Sequence, residues 1–483
     1  GDLPDDRAGP RVTVERERVL ASLRALLGEG AVVAEPHELE RYEKGWRYGR
    51  GKALAAVRPS STEEVSRLLR HASESGLRVV AQGANTGLVG ASTPDGSGEM
   101  LVLSLERLSR TIVVDPVDRT VTADGGVLLS QVETALSEHG LLFPIDLGAD
   151  PSIGGMVATN TGGTRLLRYG DVRQNLLGLE AVLADGTVLD LMRPLRKNNT
   201  GFDARQLFVG TSGAFGVVTK AVLRVVPRPV QRVTALVGLS SGSAVLGILA
   251  HLEGRLGEAL TAFEAIGAGA LAPVFRHQPR LRDPFAGRPP AYAVLVELSS
   301  TLRRERLALD ELLESALEEL LEVEGGSGIT DVFPGKPSEL WEIRHIVSES
   351  LRQEGEVLAF DISVPRSSMA AFVDAAREEV AAGWPFVRFC DYGHWGDGGV
   401  HVNLIWDPGE APRTAAELKA ELQPRLYDLA VNRFSGSYSA EHGVGPHNQA
   451  FYDLYTPELV REVCRLLKAR LDPTGLLGTV RLG

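Results

Sequence analysis

An apolar run that leads straight into a glycine-rich loop constrains this chain more than any other feature. The run VVAQGANTGLVG covers residues 79–90, and it begins with the β-branched residues typical of a buried strand. Gly83, Gly87 and Gly90 carry no Cβ, so the loop can bend sharply and present successive main-chain N–H groups to one anion. A phosphate or pyrophosphate suits such a loop, and a nucleotide cofactor is our first hypothesis. An ordinary glycine turn is the alternative.

Length and charge exclude several classes of protein. A chain of 483 residues with 43% hydrophobic residues predicts two globular domains, with a third possible. A formal net charge of -12 argues against sequence-independent binding of nucleic acid and against docking on anionic lipid. The two cysteines, Cys390 and Cys464, are too few for a disulfide framework or a cysteine-rich metal site. We therefore expect a reducing, cytoplasmic location.

Targeting and membrane segments are not expected. The longest apolar run, residues 244–252, is about half of the roughly 20 residues that a spanning helix requires. Residues 1–10 are polar and acidic, without the apolar region of a signal peptide, and we expect them to form a disordered lead.

The pattern of apolar residues divides the chain near Pro227 and Pro229. Before this point, short strands alternate with turns, and one predicted helix covers residues 129–139. An earlier helix is predicted to start at Ser61 and to end at Gly76. After the prolines, strands alternate with helices near residues 303–322, 366–382 and 411–434. This pattern predicts an α+β fold with a second α/β domain whose helices lie on one sheet face.

Histidines concentrate in a second group of motifs. Four of the ten histidines lie between positions 394 and 447, in the segments GHWGDGGVHVN (residues 393–403) and SAEHGVG (residues 439–445) and just after them. His401 and Asn403 are two residues apart on a predicted strand and share a face, while a glycine turn brings His394 back toward His401. Together with Glu441, the two imidazoles form a donor set that suits a divalent metal. Satisfied polar core residues near a turn are the alternative.

The two groups of motifs together resemble a known family of flavoenzymes. The loop at residues 82–90 is followed by LGADPSIGGMVATNTGG (147–163), LLRYG (166–170) and LFVGTSGAFG (207–216). This order resembles the FAD-binding domain of the vanillyl-alcohol-oxidase, or PCMH-type, superfamily. The HxGDGxxH and SAEHG segments are most similar to the D-2-hydroxyacid dehydrogenases, which include D-lactate and D-2-hydroxyglutarate dehydrogenases and the glycolate oxidase flavin subunit. The resemblance covers roughly residues 40–480.

The resemblance implies a fold and a cofactor. It implies an α+β, PCMH-type FAD-binding domain over residues 1–230, with its core at about 50–229. It also implies a substrate-binding cap on an antiparallel sheet over 231–435, and a segment, 436–483, that returns to the first domain. FAD is expected to be non-covalent and to lie between the domains. The residues implied to bind it are Gln82, Gly83, Ala84, Asn85, Thr86, Gly87, Leu88, Pro144, Asp146, Gly148, Ser152, Gly154, Gly155, Thr159, Asn160, Gly162, Val217 and Val218.

The resemblance also implies roles in a catalytic site. Its implied metal ligands, most simply for zinc, are His394, His401 and Glu441. His442 corresponds to the general base and Asn403 to a substrate contact. Arg344 corresponds to the residue that binds the substrate carboxylate, a role that suits a planar guanidinium; a solvated helix arginine is the alternative.

Several positions depart from the family pattern. Ala359 replaces a frequent lysine that would help to bind an anion, so a dicarboxylate such as 2-hydroxyglutarate is disfavoured. Ser348 stands where the hydroxyglutarate enzymes tend to have threonine, while Gly399 and Met156 each replace an asparagine. Residues 477–481 lack the Asn-Pro-Gly-Lys pattern that normally reaches the flavin. Together these differences favour an unusual substrate, for example one in a specialised biosynthetic pathway.

The resulting hypothesis is an FAD-dependent enzyme that oxidises a D-2-hydroxy acid to the 2-oxo acid, with metal-assisted proton removal and hydride transfer to the flavin. One alternative is a flavoenzyme that oxidises a sugar or another alcohol. A second is a non-catalytic flavin-carrying subunit. The electron acceptor stays open among oxygen, a quinone, a cytochrome and an electron-transfer flavoprotein, and a homodimer is possible.

Overall fold

The computed structural model describes the backbone of residues 10–483 and the side chains of residues 15–483. The polar lead expected over residues 1–10 lies outside the described residues, except for Pro10, which begins the first helix. Within this described part, no helix has the length and apolar character needed to cross a membrane.

The amino-terminal half, residues 10–230, contains two main sheets. Its strands are β1 (Val32–Val33), β2 (Ala53–Val57), β3 (Val79–Gln82), β4 (Met100–Ser104), β5 (Ile112–Asp115), β6 (Thr120–Asp124), β7 (Leu141–Leu142), β8 (Leu176–Val182), β9 (Val188–Leu191), β10 (Val217–Arg224) and β11 (Val226–Pro227). Its helices are α1 (Pro10–Leu27), α2 (Pro36–Glu43), α3 (Thr62–Ser75), α4 (Leu129–Ser137), α5 (Ile153–Thr159), α6 (Leu166–Tyr169) and α7 (Val172–Asn175). One sheet has the order β1-β2-β4-β3 and the other, which is antiparallel, the order β5-β6-β10-β8-β9.

Helix α3 shows how local sequence positions the glycine loop. The Ser61 hydroxyl accepts a hydrogen bond from the Glu64 N–H at 3.2 Å, and Gly76 ends the helix in the left-handed region with φ 65°. Val65, Leu68, Leu69 and Ala72 are buried against the first sheet. The predicted helix boundaries are therefore confirmed. Strand β3 follows almost at once and delivers the chain to the glycine loop.

The second half contains a seven-stranded antiparallel sheet, here called the cap sheet. Its strands are β12 (Gln231–Leu239), β13 (Leu260–Gly267), β14 (Tyr292–Ser300), β15 (Ile329–Gly335), β16 (Glu356–Ser363), β17 (Arg388–Gly393) and β18 (Gly399–Trp406), in the order β15-β12-β14-β13-β17-β18-β16. The helices of this half are α8 (Gly242–Leu256), α9 (Ala268–His277), α10 (Leu309–Leu321), α11 (Pro337–His345), α12 (Val347–Arg352), α13 (Met369–Gly383), α14 (Ala415–Asp428), α15 (Gln449–Tyr455) and α16 (Glu458–Leu471). The predicted α+β class and antiparallel cap sheet are confirmed.

Helices cover both faces of the cap sheet, so the expectation of helices on one face is wrong. Helices α8, α10, α13 and α14 pack on one face, whereas α9, α11 and α12 pack on the other. The central strands β13 and β14 are buried along almost their whole length, and a strand buried on both sides needs a cover on each. The three predicted helices correspond to α10, α13 and α14, which all lie on the first face.

The carboxyl-terminal segment contacts the amino-terminal half beside the glycine loop. The Gly478 N–H donates to the Val79 carbonyl oxygen of β3 at 2.7 Å. The Lys468 ammonium donates to the carbonyl oxygens of Ala214, at 2.6 Å, and Leu477, at 2.9 Å. The chain end thus lies against the strand that leads into the glycine loop.

Substitution of Gly83 by alanine should destabilise the fold. A Cβ at Gly83 would overlap the Ser152 hydroxyl, which accepts from the Gly155 N–H at 3.2 Å to cap α5. We expect Gly83→Ala to lower the free energy of unfolding by about 1–3 kcal/mol, measured by urea denaturation of the FAD-free protein. Gly87→Ala is the matched control, since no atom lies within 4 Å of the Cβ it would add. Equal losses in both variants would contradict this account.

Candidate functional site

The predicted cofactor segments converge around α5. A Cβ on Gly154 would lie 3.0 Å from the carbonyl oxygens of both Gly125 and Val218, and Gly83 lies directly beside Ser152. These close approaches explain why glycine occupies positions 83 and 154: the neighbouring atoms leave no room for a Cβ. Gly83 is therefore required for space, whereas positive φ occurs in this loop at Asn85, 58°, and Gly90, 73°.

The glycine loop has main-chain donors to offer. Among the described residues, no N–H group of residues 84–88 donates a hydrogen bond to a protein acceptor. The loop is held from outside by the Asn85 amide, which donates to the Lys44 carbonyl oxygen at 2.8 Å and accepts from the Ser92 hydroxyl at 2.8 Å. A row of free N–H groups on a braced loop fits the pyrophosphate of FAD.

Two side chains of the predicted set are hydrogen-bonded within the protein. The buried Gln82 amide donates to the carbonyl oxygens of Tyr42 and Ser92, at 2.9 and 2.8 Å. The Asn160 side-chain N–H₂ donates to Asp171 Oδ2 at 2.9 Å, and its oxygen accepts from the Arg173 N–H at 2.8 Å. Among the residues predicted to bind FAD, those that are buried are Gln82, Pro144, Ser152, Gly154, Gly162, Val217 and Val218. Those that are half-buried are Gly83, Ala84, Asn85, Thr86, Leu88, Gly155, Thr159 and Asn160. Those that are exposed are Gly87, Asp146 and Gly148.

The cap sheet brings the three predicted metal ligands together. His394 Nε2 lies 3.3 Å from His401 Nε2 and 3.3 Å from Glu441 Oε1. One ligand atom from each residue lies within 4.8 Å of the other two. Two imidazole nitrogens and a carboxylate oxygen around one point form a donor set that suits zinc or a similar divalent ion.

Local structure explains how the histidines meet. His401 and Asn403 lie on the same face of β18, with His401 opposite Tyr392 of β17. At the end of β17 the His394 carbonyl oxygen accepts three N–H groups, from residues 397, 398 and 399, at 3.0–3.1 Å. This tight turn returns the chain at once into β18, as the glycines predicted.

Two buried carboxylates that the motifs did not reveal hold the site. Glu264 on β13 accepts from His394 Nδ1 at 2.6 Å through Oε1 and from Arg344 Nε at 2.7 Å through Oε2. Asp361 on β16 accepts the N–H groups of Glu441 and His442, at 2.8 and 3.1 Å. Their signal in the sequence was an acidic residue with apolar neighbours inside a strand, as in the runs AFEAI and AFDI.

Asp361 also lies beside two imidazoles of the site. Its carboxylate oxygens are 3.8 Å from His401 Nδ1 and 3.6 Å from His442 Nδ1. Carboxylates behind histidine ligands fix the ring orientation and keep the outer nitrogen directed at the metal position. Glu264 thus lies behind His394, and Asp361 lies behind both His401 and His442.

Mutual charge sets the protonation of the site. Burial would raise the pKa of Glu264, but the positive charges of His394 and Arg344 outweigh it and lower the pKa to about 2. Burial would lower the pKa of His394, but Glu264 and Glu441 outweigh it and raise the pKa to about 10. Burial and the charge of His394 lower the pKa of His401 to about 3. Metal binding would require the proton on His394 Nε2 to leave, because a metal ligand must be deprotonated at the ligating nitrogen.

Arg344, Asn403 and His442 border the donor cluster. The Arg344 guanidinium lies 4.7 Å above the Tyr392 ring, and among the described residues neither of its Nη atoms donates a hydrogen bond. The Asn403 amide makes one long bond, at 3.4 Å, to the His401 carbonyl oxygen. The His442 side chain is 31% exposed, the most open imidazole of the group.

The donor cluster and the predicted cofactor region are neighbours. A Cβ on Gly443, the residue after His442, would lie 4.0 Å from the Thr159 carbonyl oxygen of α5. The Ser212 hydroxyl donates to the Val444 carbonyl oxygen at 2.8 Å. His442 therefore lies close to the boundary between the two regions.

A separate cavity of about 710 Å³ borders the glycine loop at Gly90. Its other walls come mainly from residues 44–50, Arg78, His447 and Thr479. None of the residues predicted to bind FAD lines this cavity, so the motifs did not indicate it.

Comparison with known proteins identifies relatives across almost the whole chain. The FAD binding domain family matches residues 53–192, and the C-terminal domain family of FAD linked oxidases matches residues 228–480. The chain is 35% identical over 472 residues to mitochondrial D-2-hydroxyglutarate dehydrogenase of Rattus norvegicus, with 97% of this chain and 85% of the relative covered. It is 32% identical over 464 residues to the Arabidopsis thaliana protein of the same name, covering 95% and 80%.

The fold is similar to that of p-cresol methylhydroxylase with substrate bound, with a TM-score of 0.70 at 15% identity and 95% of both chains covered. At this identity the likeness shows the fold alone. The predicted PCMH-type fold is confirmed by this likeness, and the predicted flavoenzyme family and FAD cofactor are confirmed by the two family matches. The expected cytoplasmic location stays a prediction.

Replacing Glu264 by glutamine should destabilise the protein in a pH-dependent way. In the metal-free protein, the variant leaves the protonated His394 and Arg344 without their carboxylate, which costs about 3–5 kcal/mol of unfolding free energy near neutral pH. Because the pKa of Glu264 is about 2 when folded and near 4.5 when unfolded, its contribution is present above pH 4.5 and is lost as the pH falls toward 2. Denaturant unfolding of both proteins across this range should show the difference shrinking; a difference that does not vary with pH would contradict the assignment.

Proposed function

This chain belongs to the FAD-linked oxidases, and we propose that it oxidises the hydroxyl group of a D-2-hydroxy acid to give the 2-oxo acid. It is a flavoprotein oxidoreductase that acts on CH–OH groups. The observation that carries the proposal is the placement of the candidate cation site beside a buried guanidinium whose Nη atoms donate to no described residue, since Glu264 bonds to both His394 and Arg344. A 2-hydroxy acid carries its hydroxyl and its carboxylate on adjacent carbons and matches this pair.

The residues present fit both groups that the family implies. The free N–H groups of residues 84–88 would hold the pyrophosphate of FAD, which when bound supplies a hydride acceptor. His394, His401 and Glu441 would hold a divalent ion, most simply zinc, which when bound lowers the pKa of a coordinated hydroxyl.

The side chains of this protein then bind, orient and deprotonate the substrate. The two free Nη atoms of Arg344 pair with the carboxylate, and Asn403 fixes the substrate from the same strand face as His401. His442 accepts the hydroxyl proton, because its imidazole is the most exposed of the cluster and imidazole is a common general base. Asp361 orients that ring from 3.6 Å.

Substitutions at the arginine and at the base should affect different steps. Arg344→Ala should raise KM for the acid by about 10- to 100-fold, because it removes a paired carboxylate contact. His442→Ala should slow flavin reduction by about 10²- to 10⁴-fold with little effect on binding. Stopped-flow bleaching of the flavin, with D-lactate and D-2-hydroxyglutarate as substrates, separates the two. His251→Ala is the control, because the His251 imidazole bonds to the Ala316 carbonyl oxygen in the cap, and its KM and rate of flavin reduction should match the wild type. Small, equal effects of Arg344→Ala and His442→Ala would contradict the two assigned roles.

Metal content provides an independent test of the donor cluster. We expect the purified protein to contain a stoichiometric divalent metal by elemental analysis, and His401→Ala to lose it. Chelation should abolish oxidation of the hydroxy acid, and added zinc should restore it. His447→Ala is the control, because His447 packs on Tyr48, with ring centroids 5.0 Å apart, on the separate cavity. Full activity in metal-free protein would overturn the metal assignment.

A further inference from the structure

A buried ion pair joins the two halves of the molecule. Arg165, at the start of α6, donates from Nε and Nη2 to the two oxygens of Glu297 on β14, at 2.8 and 2.9 Å. The Glu297 side chain is fully buried and that of Arg165 is 9% exposed. Burial would raise the pKa of Glu297, but the bonds from Arg165 outweigh it and lower the pKa. Glu297 is therefore a buried carboxylate held charged.

The same carboxylate holds the helix that carries Arg344. Trp341 of α11 donates from its indole N–H to Glu297 Oε2 at 2.8 Å, and the Thr261 hydroxyl donates to Oε1 at 2.9 Å. The Arg165 guanidinium also lies 5.3 Å above the Trp341 ring. Arg344 follows Trp341 by three residues in α11, so the two side chains occupy neighbouring positions on one side of that helix.

The other end of this network reaches the cofactor region. The remaining Nη1 of Arg165 donates to Asp146 Oδ2 at 2.7 Å, and the Asp146 side chain is 49% exposed. Asp146 belongs to the segment predicted to line the flavin. The hydrogen bonds therefore run without a break from that segment, through Arg165 and Glu297, to the helix of Arg344.

Stability alone does not account for such an arrangement. Removing two charges from water costs nearly as much as their attraction returns, and apolar side chains of the same size are often at least as stabilising. What a fully bonded buried pair does provide is a fixed geometry, since the bidentate contact and the indole bond each allow only a narrow range of positions.

We propose that Glu297 is a positioning residue: it fixes α11, and through it the Arg344 guanidinium, relative to the cofactor-binding half. This inference rests on the proposed function, in which Arg344 binds the substrate carboxylate. A small shift of a substrate-binding group from its position in the complex weakens productive binding, even though the group itself is intact.

The chain offers a matched control for this proposal. Arg168, on the same short helix α6, forms a second ion pair with the cap through Glu258 at 2.9 Å. The Glu258 side chain is 85% exposed, and exposed pairs contribute little. Glu258→Gln therefore removes the same charge from the same inter-domain contact without touching the network of Glu297.

The experiment compares wild type, Glu297→Gln and Glu258→Gln as FAD-loaded proteins. KM and the limiting rate of flavin reduction are measured with D-lactate and D-2-hydroxyglutarate, and pyruvate and 2-oxoglutarate are titrated against flavin absorbance. We expect Glu297→Gln to raise KM and the dissociation constant of the oxo acid by about 10- to 100-fold, with a limiting rate near that of the wild type. Glu258→Gln should match the wild type in both.

A second variant keeps the proposal falsifiable if Glu297→Gln does not fold. Trp341→Phe preserves the ion pair but removes the indole donor and part of the ring below Arg165, and we expect a KM increase in the same direction but smaller. An unchanged KM in Trp341→Phe, or equal effects of Glu297→Gln and Glu258→Gln, would overturn the positioning role. Failure of the proposed function would be distinct, because the wild type itself would then not be reduced by any hydroxy acid.

Discussion

The candidate active site depends on one buried carboxylate. Glu264 is 1% exposed and bonds through separate oxygens to His394 and Arg344, which lie 130 and 80 residues away along the chain. A charge in an apolar core is tolerated only when it is paired, so both cations are held in place. The same contact leaves the outer nitrogen of His394 for a metal and the outer atoms of Arg344 for an anion. One residue thus couples the two groups that would recognise a hydroxy acid.

The two faces of the cap sheet differ in function: one packs an apolar core, and the other carries the polar residues of the candidate site. One face packs α8, α10, α13 and α14 into a large apolar core. The other face carries Glu264, Glu297, Asp361 and His401, which alternate along their strands with residues of the first core. Because successive side chains of a strand point to opposite faces, a single polar residue in an apolar strand lies in a fixed direction. The carboxylates are therefore held by the sheet rather than by loops.

The two halves meet where the chemistry is proposed to occur. The segment after His442 lies beside α5, the chain end pairs with β3, and Arg165 crosses to Glu297. These contacts place the glycine loop, the open imidazole and the guanidinium around one region. Neither half alone contains both the cofactor region and the substrate-binding groups, so the activity needs the docked arrangement.

Local patterns in the sequence determined the features that depend on neighbouring residues. They identified the strand and glycine loop at residues 79–90, the capped helix at Ser61, the antiparallel cap sheet and the three converging metal donors. The motifs in order also identified the flavoenzyme family and FAD. The glycine loop, the capped helix and the turn that brings His394 back to His401 follow from spacing within a few residues, because strand alternation, capping and tight turns act over that range. The antiparallel cap sheet and the FAD cofactor were implied by the resemblance to the flavoenzyme family, and Glu441 came from a separate motif far along the chain from the two histidines.

Only the tertiary structure decided which distant groups pair. It placed Glu264 and Asp361 beside the histidines, bonded the amides of Gln82 and Asn160 to other parts of the protein, and placed helices on both faces of the cap sheet. A buried polar group bonds to whatever the folded chain brings within about 3 Å, and that partner is set by how strands and helices pack. No local pattern records it, which is why the donors were visible in the sequence and the carboxylates that orient them were not.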